Sequence, residues 1–238
     1  EATAASLDTQ SGRLTYGRRF DNGLDVLVSA TRLDGAGHKR FYFEEYAATH
    51  GGVAERLDRT QATSAFAAVG YGDLRFSGGF IDRRKQNPTA QYGSIFNDPR
   101  ALNLDVRSYA ELTFAHAFAR DWSVQSRLYY DYYRYESGFS YDTGAARPVV
   151  NTDLAIAAWL GGEVLATKNL GERTRLTAGG EFRDDFRLDL SNFDEAPRAT
   201  YLDVRRRAAS HAFYVQAESQ LAPALALNAG VRHDRLGA

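Results

Sequence analysis

The chain of 238 residues is long enough for one large domain or two small ones, and its 44% hydrophobic and 25% charged residues are ordinary for a folded protein. A formal net charge of −1 provides no global basic field for nucleic acid, and the absence of cysteine excludes disulfides, thiol catalysis and cysteine-ligated metals. The longest apolar runs are much shorter than the roughly 20 residues that a membrane-spanning helix needs.

Alternation of apolar and polar residues with a period of two recurs along the chain and predicts β-strands. Ten strands are predicted, at 11–20, 23–33, 60–71, 73–84, 105–118, 122–135, 153–167, 173–187, 207–221 and 224–235. Most of them are longer than the roughly five or six residues usual in soluble sheets. The alternation is ambiguous in the strands at 11–20 and 60–71, where the sequence does not decide which face is apolar.

The connections between these strands alternate between short and long. Short turns are predicted at 21–23, 71–73, 119–121, 168–172 and 222–223, and long loops at 34–59, 85–104, 136–152 and 188–206. All five prolines fall in connections, where they remove no ladder hydrogen bond. Short turns at one end and long loops at the other are typical of a transmembrane β-barrel meander, whereas a soluble sandwich more often mixes its connection lengths.

The two faces of the predicted strands differ in chemistry, most clearly at 173–187. Apolar and small residues alternate there with polar ones: Leu176, Ala178, Gly180 and Phe182 against Arg175, Thr177, Glu181 and Arg183. A lipid-facing surface tolerates small residues because it does not interdigitate with a second sheet. We therefore expect the apolar face to contact lipid and the charged face to line a wet lumen, with packing in a soluble core as the alternative.

Aromatic residues gather near the ends of the alternating runs. At the short-turn end these are Phe20, Tyr71, Phe118 and Trp122, and towards the long loops they are Phe80, Tyr130, Tyr132 and Phe186. Two such belts predict the interfacial girdles of a membrane barrel.

Because the chain contains no methionine and opens within an alternating pattern, we expect an internal segment of a longer protein, with a processed mature chain as the alternative.

Candidate ligand-lining residues follow from the charged face and from one aromatic loop. On the charged face they are Arg127, Tyr129, Asp131, Glu181, Arg183, Glu218 and Arg232, and in the loop at 34–59 they are Phe41, Tyr42 and Phe43. Loop aromatics can hold an aromatic or catecholate ligand, although this stretch is equally compatible with a strand that extends above the membrane. The run Arg205-Arg206-Arg207 is either a solvated basic rim or a site for an anionic ligand or lipopolysaccharide phosphates.

No catalytic or metal site is predicted. The five histidines form no metal-binding spacing such as HExxH. Ser210-His211 and His233-Asp234 are sequence neighbours, and adjacent strand residues point to opposite faces, so neither pair can converge. We therefore expect no enzyme activity and no cofactor.

Three stretches resemble the barrel of TonB-dependent outer-membrane receptors. They are RKQNPTAQYGSIFNDPR at 84–100, GGEFRDDFRLDLSNFDEAP at 179–197, and YVQAE at 214–218 followed by residues 225–234, which are similar to the family's "YVQDE" strand and "LNAGVRYD". Each motif has low specificity by itself. Their order, their spacing and the regular succession of hairpins extend the resemblance over essentially the whole chain.

The resemblance implies an all-β antiparallel up-and-down meander that forms part of a 22-stranded, plugged barrel in the bacterial outer membrane. Such receptors take up scarce, large ligands, such as iron–siderophore complexes or cobalamin, with energy from the TonB complex. The chain departs from the family because it has ten predicted strands, no plug domain, no TonB-contacting box and no terminal aromatic residue.

We therefore assign residues 1–238 to a single partial barrel domain that contacts outer-membrane lipid and a large small-molecule ligand, and that reaches TonB only through a plug domain absent from this chain. No nucleic-acid partner is expected. Two alternatives stay open: a complete ten-stranded barrel acting as a pore or an enzyme, whose first and last strands would pair, and a soluble all-β binding module.

Overall fold

A computed structural model describes residues 1–119 and 121–237, which form 13 strands. These are β1 (Ala2–Ala5), β2 (Thr9–Arg19), β3 (Asp25–Gly35), β4 (Arg40–Tyr42), β5 (Val53–Glu55), β6 (Thr60–Tyr71), β7 (Leu74–Gln86), β8 (Leu102–Ala119), β9 (Trp122–Tyr141), β10 (Val149–Leu170), β11 (Thr174–Asp194), β12 (Ala199–Ala222) and β13 (Leu225–Gly237). Short 3₁₀ turns span Glu44–Tyr46, His50–Gly52 and Gln91–Gly93. None of the helical segments in the described ranges has the length and apolar composition of a membrane-spanning helix.

The sheet is an antiparallel meander. Eleven strands pair in the order β1-β2-β3-β6-β7-β8-β9-β10-β11-β12-β13, while β4 and β5 form a separate small hairpin within a loop. Each of the ten predicted strands coincides with one long strand of this sheet, so the predicted all-β, up-and-down fold of about ten long strands is confirmed. The turn predicted at 119–121 includes Arg120, which lies outside the described residues.

The strands near the loop end are longer than the sequence pattern predicts. Strand β9 continues to Tyr141 before β10 begins at Val149, and β11 continues to Asp194 before β12 begins at Ala199. The predicted long loops at 136–152 and 188–206 are therefore wrong, because most of these residues belong to strands. Both faces mix polar and apolar residues in these extensions, with Leu188 and Leu190 on the polar face of β11, so the pattern of one consistently apolar face is lost there.

Pairing assigns each strand residue to one of two faces. The polar face carries Arg127, Tyr129 and Asp131 of β9, and the apolar face carries the residues between them. In β6, Phe66 pairs with Gly79, which pairs with Tyr109, which pairs with Asp131. The even-numbered residues of β6 therefore lie on the polar face, which resolves the ambiguous register at 60–71.

The apolar face is not covered by protein. The exposed fractions of Leu14, Phe213 and Val231 are 81%, 63% and 72%, and in the described chain no second large sheet packs against this face. A soluble sandwich would bury these side chains between two sheets about 10 Å apart. The soluble-core alternative is therefore wrong for this chain. Of the aromatic residues predicted as girdles, Trp122 at the start of β9 and Tyr130 midway along β9 are both exposed.

Glycine pairs make room for aromatic rings on both faces of the sheet. On the polar face, rings lie over one glycine of each pair: Tyr109 over Gly79, Tyr129 over Gly161 and Tyr214 over Gly179. On the apolar face, Phe182 lies over Gly162 and Phe213 over Gly180. A Cβ atom added to Gly161 would overlap the ring of Tyr129. These glycines therefore leave space for aromatic rings from neighbouring strands. This packing, and not a lack of packing partners in lipid, explains why small residues occur at these positions.

The two outermost strands of the described sheet are β1 and β13, and they do not pair with each other. A complete ten-stranded barrel would close by pairing its first and last strands. The alternative of an independent, closed ten-stranded barrel is therefore wrong for this structure.

The assignment of the two faces can be tested with neighbouring residues of β12 in the full-length protein that contains this chain. Val215 lies on the apolar face and Gln216 on the polar face, where Gln216 donates to Glu218. We expect Val215→Arg to lower the free energy of unfolding in lipid vesicles by about 2–4 kcal/mol, the cost of a lipid-facing arginine near the bilayer midplane. Gln216→Arg should change it by less than about 1 kcal/mol, and equal losses for both variants would contradict the assignment.

Candidate functional site

The polar face carries a network of charged and aromatic side chains across β8 to β13. All seven candidates that the sequence places on the charged face lie on this polar face: Arg127, Tyr129, Asp131, Glu181, Arg183, Glu218 and Arg232. Arg127 donates to Glu111 at 2.6 Å and lies over the Tyr129 ring at 4.6 Å, and Arg107 donates to Asp131 at 3.2 Å. Charges of opposite sign therefore pair across neighbouring strands, which stabilises their register.

Some contacts on the polar face reach over an intervening strand. Tyr214 of β12 donates its hydroxyl to Glu163 of β10 at 2.5 Å, across Gly179 of β11. Arg232 of β13 donates to Glu181 of β11 across β12 and also to Asp234 at 2.9 Å. These contacts tie β10 to β13 into one surface.

Trp159 belongs to this surface, although the sequence alone does not single it out. The Arg183 guanidinium lies over the Trp159 ring at 4.6 Å and donates to Asp185 at 2.7 Å. Trp159 is embedded in the apolar run at 154–160, which conceals the alternation of β10. The signal that would have found it is its even spacing from Glu163, since residues four apart in a strand share a face.

The loop candidates have two different environments. Phe41 and Phe43 pack against a small buried cluster of Ala54, Ala90 and Phe96, whereas Tyr42 is 64% exposed. Phe41 and Tyr42 belong to the β4–β5 hairpin, so the stretch is partly a strand within the loop. Phe41 and Phe43 therefore stabilise the loops, and contact of any of the three with a ligand stays a prediction.

The loop at 87–101 is held by an aromatic stack and an ion pair. The rings of Tyr46 and Phe96 are stacked with centroids 4.3 Å apart, which joins this loop to the loop at 36–59. Arg100 donates its backbone N–H and its Nε to Asp98, each at 2.9 Å. The Arg100 side chain holds the pKa of Asp98 below its ordinary value, against the opposing effect of burial.

A pocket of about 470 Å³ opens on the polar face midway along β2, β3, β6 and β7 and beside Arg107 and Tyr109 of β8. Arg13 and Arg107, the rings of Phe66 and Tyr109, and the hydroxyls of Ser29, Thr31 and Ser64 contribute to its lining. Arg13 donates to the Thr31 hydroxyl at 3.2 Å and has no carboxylate within 4 Å among the described residues. Guanidinium groups beside aromatic rings and hydroxyls suit an anionic group attached to a planar, aromatic body.

Neither of the two histidine pairs converges. Ser210 pairs with Arg183 on the polar face, whereas His211 lies on the apolar face with its ring 6.1 Å from that of Phe213. In the residues that the structure describes, no group of three or more His, Cys, Asp and Glu side chains could hold a metal ion. The polar face thus presents charged groups, hydrogen-bonding groups and aromatic rings.

The chain matches the family model described as "TonB dependent receptor-like, beta-barrel" over residues 47–237. A comparison with curated proteins gave no match. Structures with a similar fold include the copper transporter OprC, with a TM-score of 0.69 and 15% identity over 99% of this chain and 36% of that one. The ferric-catecholate import receptor Fiu from E. coli K12 has a TM-score of 0.66 and 12% identity over 98% of this chain and 43% of that one.

A third similar structure is FpvA of P. aeruginosa bound to heterologous pyoverdines, with a TM-score of 0.68 and 12% identity over 99% of this chain and 36% of that one. At these identities the likeness concerns the fold. The chain spans less than half the length of each of these three proteins.

Tyr214 tests how the polar face is held together. In the full-length protein, Tyr214→Phe keeps the ring over Gly179 and removes the hydrogen bond to Glu163, so we expect a loss of about 1 kcal/mol in the free energy of unfolding. Tyr214→Ala also uncovers Gly179 and should cost about 2–3 kcal/mol, since it removes the packing of an aromatic ring. Urea titration in lipid vesicles measures both, and equal losses would show that the ring over Gly179 contributes nothing.

The Asp98–Arg100 pair makes the loop at 87–101 sensitive to acid. Because the folded-state pKa of Asp98 is lowered, its stabilising effect is fully present above the ordinary carboxyl pKa of about 3.9 and is lost as the pH falls through the lower folded-state value. We expect protection of the loop amides from hydrogen exchange, corrected for intrinsic rates, to fall below about pH 4. In Asp98→Asn, protection should already be reduced at pH 7, while Glu45→Gln, a change at an exposed loop residue, should behave as the unmodified protein. Unchanged protection in Asp98→Asn would contradict the prediction.

Proposed function

The chain belongs to the TonB-dependent receptor-like β-barrel family, and from this premise we propose that it forms part of the wall of a receptor for uptake of a scarce, large ligand. The family consists of outer-membrane β-barrels of Gram-negative bacteria, which places the chain in that membrane, and its members are transporters and not enzymes. The exposed apolar face contacts the lipid, and the polar face lines the lumen.

The observation that carries the proposal is the chemistry of the polar face. Many of its charges pair with one another, as in Arg127–Glu111 and Arg107–Asp131, whereas Arg13 in the pocket, like Arg75 and Arg175 elsewhere on this face, has no carboxylate within 4 Å among the described residues. A wall of paired charges offers a wet, weakly attractive surface for passage, and the unpaired arginine in the pocket offers a contact for a negatively charged ligand.

We propose an iron–siderophore complex as the ligand, with cobalamin as the alternative of similar size. The aromatic rings of Phe66 and Tyr109 beside Arg13 favour the siderophore, because an anionic, partly aromatic chelator satisfies both kinds of contact. The structurally similar proteins include a ferric-catecholate import receptor and a pyoverdine-bound protein, which supports this class of ligand, while another is a copper transporter.

Coupling to TonB, in this proposal, belongs to a plug domain elsewhere in the full-length receptor. Strands β1 and β13 do not pair with each other, and unpaired strand edges in lipid leave backbone N–H and C=O groups unsatisfied at a cost of several kcal/mol each. We propose that further strands of the same barrel pair with these two edges.

Uptake by the full-length receptor tests the function. The gene is expressed in a Gram-negative strain that lacks its own siderophore receptors, and cells are supplied with radioactive iron as catecholate, hydroxamate or mixed siderophore complexes, or with labelled cobalamin. We expect uptake of at least one of these ligands that disappears in a strain without TonB. A folded, surface-exposed receptor with no TonB-dependent uptake of any of them would overturn the proposal.

Arg13 is the sharpest single test of the pocket. If the ligand carries negative charge into it, Arg13→Gln should weaken binding to the purified full-length receptor about tenfold, the loss expected for a charge-assisted hydrogen bond. The matched control is Arg18→Gln in the same strand, since Arg18 lies on the apolar face over the Phe20 ring. Equal affinities of Arg13→Gln and the unmodified receptor would remove the pocket from the uptake route.

A further inference from the structure

The run Arg205-Arg206-Arg207 is divided between the two faces of the sheet. Strand β12 alternates without interruption from Asp203 to Gln220, with Tyr214 on the polar face. Arg206 therefore lies on the polar face, and Arg205 and Arg207 lie on the apolar side at the loop end. All three side chains are exposed.

A β-bulge in β11 adds a third arginine to the same side. Asp185 pairs with Ala208 and Leu188 pairs with Arg206, so two residues of β11 stand opposite the single Arg207. Without this extra residue, Arg187 would follow Arg183 onto the polar face; with it, Arg187 pairs with Ala158 and stands beside Arg207 on the apolar side. Bulges commonly re-aim side chains in this way.

The charges of this cluster do not balance. Arg187 is 2.7 Å from Asp189 and Arg205 is 3.4 Å from Asp203, whereas Arg207 has no carboxylate within 4 Å among the residues described. Like charges on neighbouring strands repel each other, and the cost is removed when an anion binds between them. The cluster contains three guanidinium groups and two carboxylates, so its net charge is positive and one bound anionic group would balance it.

An apolar groove of about 780 Å³ lies on the same side of the sheet, closer to the middle of the strands. Its floor includes the small residues Ser126, Gly162, Ala166, Ala178 and Gly180. Its lining also contains larger apolar residues: Leu74, Leu112, Phe114, Leu128, Val164, Phe182 and Phe213. His211 stands at the end of the groove nearest the arginines, four residues from Arg207 and on the same side of β12, or about 13 Å along the strand.

We infer that this surface binds one phosphorylated, acylated lipid of the outer leaflet, with its phosphate on Arg187, Arg205 and Arg207 and an acyl chain in the groove. Arginine matches the geometry of phosphate oxygens with paired N–H donors. The stacked rings of Tyr130 and Phe186, with centroids 6.2 Å apart, lie on the apolar face beside Arg187, where the headgroup region of the membrane begins. The position of the arginines over an apolar groove favours a lipid phosphate over a soluble anion.

The site is separate from the proposed uptake route, because its residues face away from the lumen. Arg206, in the middle of the same run, supplies a control that differs only in the face it occupies. The charge removed per residue is identical, and the neighbouring backbone is the same.

Lipid retention by the full-length receptor tests the inference. The receptor is purified in mild detergent and titrated with bilayer nanodiscs of phosphatidylcholine that contain a diphosphorylated, acylated disaccharide lipid. We expect the double variant Arg205→Gln/Arg207→Gln to bind this lipid at least fivefold more weakly and Arg206→Gln to bind it unchanged, with heat-modifiable gel migration confirming that each barrel is folded. Equal binding by all three proteins would overturn the inference and leave a solvated basic rim.

Two further measurements separate the lipid from other ligands. Ala178→Phe fills the floor of the groove without changing charge and should also weaken binding, whereas Ala217→Phe, on the apolar face outside the groove, should not. Inorganic phosphate should not displace the lipid at concentrations comparable to that of the lipid. Displacement by inorganic phosphate, or no effect of Ala178→Phe, would contradict the assignment to a lipid and indicate an anion site alone.

Discussion

The structure depends on one constraint, the pairing of every backbone N–H and C=O group of a strand that crosses hydrocarbon. No water is present there to take the place of a missing partner, so each strand must be hydrogen-bonded along both edges. The unbroken antiparallel order from β6 to β13 meets this requirement by pairing each strand with its neighbours in the chain. Once adjacent strands are paired throughout, side-chain alternation alone separates a lipid surface from a wet one.

A sheet with lipid on one face and water on the other has no conventional core, and packing is supplied within each face. Aromatic rings fill the space above glycines of the next strand, as Tyr129 does over Gly161 and Phe182 over Gly162. Because adjacent residues face opposite ways, a Gly-Gly pair receives one ring from each side. Charge pairs such as Arg232–Glu181 then join strands that are not neighbours, so the polar face is both a lumen wall and a source of stability.

Charged and aromatic side chains cluster where the regular strand pairing is interrupted by a bulge or ends at a loop. The bulge in β11 transfers Arg187 from the lumen side to the outer side, while Arg183, just before it, stays beside Trp159. A loop end carries the aromatic cluster around Phe96, which is one of the few buried apolar groups of the described chain. Regular alternation thus builds the wall, and its interruptions position charged groups such as Arg187 and aromatic groups such as Phe96.

The sequence by itself determined the ten long strands, their meander order and the faces of the clearly alternating strands, because a period of two is a local property that survives without tertiary contacts. It also placed the seven charged-face candidates on one surface. Only the tertiary structure decided the register of β6, the length of β9 to β12 above the apolar belt, and the side on which Trp159 and Arg187 lie. These features depend on which residue of one strand pairs with which residue of the next. The local sequence pattern does not show this pairing where a bulge shifts the register, or where the two faces of a strand do not differ in polarity.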